Sequence, residues 1–79
     1  MKVIFVATVN ATLTLENGKI LGFKKIIESE SPSEMLDALW FTNGNDNSMP
    51  STERLLVHLF DKKAAFCGRN YTITMRYEQ

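Results

Sequence analysis

Val3-Ile4-Phe5-Val6-Ala7-Thr8-Val9-Asn10-Ala11-Thr12-Leu13-Thr14-Leu15, then Glu16-Asn17-Gly18, then Lys19-Ile20-Leu21-Gly22-Phe23-Lys24-Lys25-Ile26-Ile27-Glu28 is the stretch that decides the fold. Val3, Phe5, Ala7, Val9, Ala11, Leu13 and Leu15 alternate with a row that includes Thr8, Asn10, Thr12 and Thr14, and a period of two is that of a half-buried strand. Lys19–Glu28 reads as a second strand with Leu21, Phe23 and Ile27 on one face. Register selects the turn between them. A two-residue Asn17-Gly18 loop pairs Leu15 with Ile20 and sets Thr12 against Phe23, mixing polar and apolar faces. A three-residue loop with Gly18 left-handed pairs Leu13 with Leu21, Ala11 with Phe23 and Ala7 with Ile27. Because a slip of one residue flips every side chain, the three-residue loop is the expected one.

Beyond the second strand, Ser31-Pro32-Ser33-Glu34 opens a helix with a serine N-cap, proline at the first helical position and a capping-box glutamate. Met35, Leu36, Leu39 and Trp40 form its stripe, and it is expected to end near Phe41, ahead of Asn43-Gly44 and a surface connection over residues 42–49. Pro50-Ser51-Thr52-Glu53 opens a second helix, whose Leu55, Leu56, Leu59, Phe60, Phe66 and Cys67 share an arc of roughly 140°. Gly68 stands where a left-handed cap belongs, and Lys63, the one polar intruder on the arc, snorkels. Tyr71, Ile73, Met75 and Tyr77 alternate with Thr72, Thr74 and Arg76 as a third strand. The expected fold is α+β, ββααβ, with two helices on one face of a three-stranded sheet. Strand 1, the most apolar, takes the centre. Lys24 and Lys25 mark strand 2 as an edge, and strand 3 is expected to run parallel to strand 1. A plain 1-2-3 order is the alternative.

At 79 residues the whole chain is one domain, 1–79, of a size that buries about 60% of its unfolded surface. With 44% hydrophobic and 23% charged residues it reads as an ordinary globular chain rather than a disordered or repetitive one. Its apolar runs are too short to cross a bilayer. The N-terminal one, cut by Thr8, Asn10 and Thr12, is not expected to act as a signal peptide. A single cysteine points to a reducing, cytoplasmic setting. Nine basic against nine acidic residues give a formal charge of zero, which does not indicate a general polyanion binder.

Candidate chemistry is sparse, and no catalytic residue, metal ligand or cofactor is expected. His58 and Cys67 are the only nucleophile-base candidates, and nine residues apart on one helix they would be separated by more than about 13 Å. One histidine and one cysteine cannot complete a tetrahedral metal shell. Asn43-Gly44-Asn45 lacks the spacing and lysine of a phosphate loop, and Asp46 with Asn45 and Asn47 lacks the pattern of a calcium loop.

Three surfaces are left as binding candidates. Glu28, Glu30, Glu34 and Asp37 form an acidic run, read either as a solvated helix start or as a lip for a basic partner. Lys24, Lys25, Lys62, Lys63, Arg69 and Arg76 either converge into a basic nucleic-acid patch or only keep the surface soluble. The sheet face away from the helices carries Ile4, Val6, Ile20 and Ile26 among threonines. An open sheet face is normally polar, and a contiguous aliphatic set there marks a homodimer or partner contact.

In general style, a compact α+β domain with Asn/Lys/Ile-leaning composition, no catalytic set and the acidic run Glu28–Asp37 resembles small bacteriophage accessory proteins, anti-CRISPR and other anti-defence inhibitors among them. The resemblance implies a non-enzymatic protein that occupies a surface of a larger complex in the host cytoplasm. It assigns no functional residue. The expected function is therefore protein binding, with a homodimer as one form and a small nucleic-acid binder or transcriptional modulator as the alternative.

Overall fold

The computed structural model describes residues 1–43 and 48–79. The readings that depend on Gly44, Asn45, Asp46 and Asn47 lie outside the described residues. Six elements follow in the order β1 (Lys2–Thr14), β2 (Ile20–Ser29), α1 (Pro32–Asn43), α2 (Thr52–Asp61), β3 (Phe66–Cys67) and β4 (Tyr71–Glu78). The class is α+β with two helices, and the sheet has four antiparallel strands ordered β2-β1-β4-β3.

The first hairpin has the register that the sequence implies, with Leu13 opposite Leu21, Ala11 opposite Phe23 and Ala7 opposite Ile27. Its loop is the three-residue one. Leu15 N–H donates to Lys19 O at 2.8 Å, Gly18 N–H to Leu15 O at 2.9 Å, and Gly18 has φ 85°. Asn17 Oδ1 accepts from Lys19 N–H at 3.0 Å. An added Cβ at Gly18 meets nothing within 4 Å, so substitution there costs backbone strain alone. Gly18→Val is expected to lower stability by about 1–2 kcal/mol, whereas Asn17→Asp, which keeps the acceptor, leaves the urea midpoint unchanged. Equal midpoint shifts in the two variants would contradict this turn.

Both helices start where the sequence signals place them, but the capping box expected at α1 is only half made, because Ser31 N–H donates to Ser29 Oγ at 3.0 Å rather than to the Glu34 carboxylate. Ser31 Oγ accepts from Glu34 N–H at 3.3 Å, and Ser51, extended at φ −69° and ψ 163°, accepts from Arg54 N–H at 3.2 Å. Their inner faces, with Met35, Leu36, Leu39, Leu55 and Leu59, close on Phe5, Ala7, Val9, Tyr71 and Ile73 to form the core. Trp40 does not belong to it. It is 46% exposed, because at 100° per residue it falls roughly 90° from the centre of the Met35, Leu36 and Leu39 stripe.

The end of α2 corrects the sequence reading most. The helix stops at Asp61, Lys62 caps it at φ −84°, and Lys63 turns left-handed at φ 53°. The cap is therefore a lysine, and Gly68 is not left-handed: among the described residues only Gly18 and Lys63 have positive φ. Phe66 and Cys67, expected on the helix, form β3 opposite Ile73 and Thr72. This extra strand returns the chain in a tight hairpin, Gly68 N–H to Tyr71 O at 2.9 Å. The last strand thus lies beside β1, as expected, but antiparallel rather than parallel to it.

Candidate binding surface

Two lengths set the surface of this molecule. β1 has 13 residues and α1 has 12, yet at about 3.3 Å per strand residue and 1.5 Å per helix residue the strand is more than twice as long as the helix that covers it. Pairing of β1 with β4 ends at Val9 opposite Tyr71, followed by one bond from Asn10 N–H to Asn70 O. Past that point β1 and β2 continue alone as a two-stranded arm. The molecule accordingly measures 47 × 29 × 19 Å.

The arm keeps the alternation of a core strand with no layer above it. Leu13 is 54% exposed and Phe23 49%, with Leu21 exposed between them on neighbouring strands. The helices, expected on this face of the sheet, do not reach Leu13 and Phe23. α1 packs on β1 and β2 and, after the short Glu30-Ser31 connection, runs back along them toward the arm. Trp40 and Phe41, the latter 87% exposed, stand at that end. Leu13, Leu21, Phe23 and Trp40 are thus left bare although periodicity alone assigns them to the core, and Phe41, on the outer side of α1, is exposed as its position on the helix dictates.

The opposite sheet face is less apolar than its sequence suggests. Arg76 donates through Nη2 to Glu28 Oε2 and to Glu78 Oε2 at 2.7 Å, and through Nε to Glu78 Oε2 at 2.9 Å. Its hydrogen bonds to the carboxylates of Glu28 and then Glu78 hold the guanidinium pKa above its usual value. Arg76 sits opposite Ile4 in the register, and Ile4 is only 8% exposed. Val6 is half-buried beside Glu28 and Thr74. Ile26 and Ile20 are exposed, but Ile26 pairs with Thr8 and Ile20 with Thr14 at the arm's tip, about 20 Å apart along the strand. The four aliphatic residues therefore do not form the contiguous patch expected of them.

The charged candidates are also dispersed. Glu28 is bound to Arg76, and Glu30 lies 3.6 Å from Lys2 Nζ. Only Glu34 and Asp37 of the acidic run stay without an ion-pair partner among the described residues. Lys24 and Lys25 lie on β2 at one sheet edge. Lys62, Lys63 and Arg69 flank β3 at the other edge, and Arg76 between them is engaged by carboxylates. The structure gathers no single basic patch from these six.

His58 and Cys67 are separated by the sheet rather than by helical rise. His58 Nε2 lies 3.1 Å from Ala65 O, and its ring meets Phe66 edge-on at 5.2 Å. Cys67, one residue on, projects to the other face and is exposed, so no thiol-imidazole pair forms. Among the described residues no group of three or more His, Cys, Asp or Glu side chains is placed to hold a metal, and no helix is long and apolar enough to cross a membrane. No protein-family model matches the chain, and neither does any curated protein or solved structure.

Proposed function

We propose that the chain is a non-enzymatic protein-binding module that docks through the apolar face of the β1–β2 arm and the adjoining end of α1. The observation that carries this reading is the exposure of Leu13, Leu21 and Phe23 at core-facing positions beyond the last residue of β1 that β4 covers. With Trp40 at the adjoining end of α1 these side chains expose on the order of 400 Å² of apolar surface per chain, about half of the ~800 Å² that each partner contributes to a standard interface.

A second copy is the partner this surface fits first. Lys25 shares the arm's apolar face, and Glu34 and Asp37 stand on α1. None of the three has an ion-pair partner among the described residues. In a two-fold pair each arm lies along the other chain's α1, so each copy supplies both signs. The zero formal charge adds no net repulsion between copies. The inhibitor form of this function presents the same face to a larger complex, in a reducing cytoplasm that leaves Cys67 as a free thiol.

Chemical cross-linking of the purified chain at 50 µM, beside Phe23→Lys and the opposite-face control Ile26→Lys, tests the reading. Cross-linked dimer in the wild type and in Ile26→Lys, lost in Phe23→Lys, is the expected result. Equal yields in Phe23→Lys and wild type would remove the arm as the binding surface.

A further inference from the structure

A second surface, on the far side of the molecule from the arm, has the chemistry of a peptide groove. β3 pairs with β4 only at Ile73 and Thr72, and β4 continues to Glu78. Over Thr74–Glu78 the edge turned away from β1 has no strand partner among the described residues. A cavity of about 510 Å³ opens along this edge, walled by Leu59 and Phe60 from α2, Ala64 and Ala65 from the connection into β3, and Met75 and Tyr77 from β4. Its walls are mainly apolar, and Lys63, left-handed at the end of α2, stands on its rim.

We propose that this groove binds an extended peptide, added beside β4 in continuation of the β3 ladder, with one bulky apolar side chain seated in the cavity and an acidic residue facing Lys62 and Lys63. Each part of the occupant answers a feature of the site. The row of backbone N–H and C=O groups on a bare edge is matched residue by residue only by another extended chain. The pairing already begun by Phe66 and Cys67 sets the line on which that chain lies, because Ala65 leaves the ladder opposite Thr74 and frees the edge beyond. An apolar cavity directly under the line takes alternate side chains of the added strand, and this supplies selectivity. Lys62 and Lys63 are both exposed and make no ion pair among the described residues. Glu78 at the end of the same edge is engaged by Arg76, so with Asp61 next to them in sequence Lys62 and Lys63 still leave a net positive charge there. The inference goes beyond the arm reading and shares no residue with it.

The test is a displayed library of random seven-residue peptides, selected on the folded wild type and counter-selected on Ala64→Trp. Ala64 is exposed, so the larger side chain fills the groove without entering the core, and circular dichroism checks that the variant is folded. Enriched sequences are expected to share one bulky apolar anchor with an acidic neighbour. A labelled peptide of that sequence is expected to shift the amide resonances of residues 75–78, to bind Lys63→Glu at least fivefold more weakly, and to lose at least tenfold in affinity when alternate backbone amides are N-methylated. The N-methylation result does not depend on how Ala64→Trp folds. Enrichment of no peptide over Ala64→Trp, shifts confined to the arm, or binding left unchanged by N-methylation of both alternate sets of amides, each tested in turn, would overturn the proposal.

Discussion

Gly68→Ala is expected to lower the unfolding free energy by about 3 kcal/mol, a large share of what so small a domain has. A Cβ built on Gly68 falls 2.1 Å from Tyr71 Cζ and 2.2 Å from its Cε1, far inside van der Waals contact, so the ring must move. It has nowhere to go without loss. Tyr71 is buried in the core cluster, stacked on Phe66 with centroids 6.5 Å apart, and its hydroxyl lies 3.3 Å from Ser48 Oγ. Swinging the ring outward opens a cavity and breaks that bond, while leaving it in place displaces the β3–β4 hairpin. For a 79-residue chain the corresponding fall in Tm is more than about 10 °C. In a Tyr71→Ala background the same glycine substitution is expected to be nearly silent, since the clashing atoms are gone, and a double-mutant cycle reads that coupling. A Gly68→Ala melting curve that overlays the wild type would show that Tyr71 packs elsewhere.

Phe23→Lys is the second large effect, and it falls on association rather than folding. Phe23 sits on the arm, half exposed, outside the core cluster, so a lysine there leaves the monomer with its helices and its central strands intact. In the two-fold pair the same position lies in the apolar centre, where an unpaired charge costs several kcal/mol. Association is therefore expected to weaken at least 100-fold while the urea midpoint moves little. A Phe23→Lys chain that loses its fold would instead place the arm in the core.

The first hairpin and both helix starts were legible because their signals are local. Gly18 fixes a three-residue loop, alternation fixes which residues share a face, and Ser31 and Ser51 accept the bonds their positions imply. What local signals do not carry is how far one layer extends over another. Leu13, Leu21 and Phe23 have the period of buried residues, and only the mismatch in rise between strand and helix leaves them bare. The end of α2 was hidden for a different reason. Phe66 and Cys67 fit the helical arc, and a lysine rather than a glycine makes the left-handed stop, so nothing before Gly68 announced it. That one misplaced boundary concealed β3, reversed the expected direction of β4 and, with it, the peptide edge beside β4. Arg76 shows the same limit on the open face. It is held there by Glu28 of β2 and Glu78 of β4, and spacing along the sequence does not contain those partners.

The arm is the surface through which the proposed dimer forms. Sedimentation equilibrium of wild type, Phe23→Lys and Ile26→Lys between 5 and 200 µM tests it most directly. The predicted result is a monomer–dimer equilibrium for wild type and Ile26→Lys with a midpoint at tens of micromolar, and a monomer throughout for Phe23→Lys. Three indistinguishable profiles, whether all monomeric or all dimeric, would contradict it.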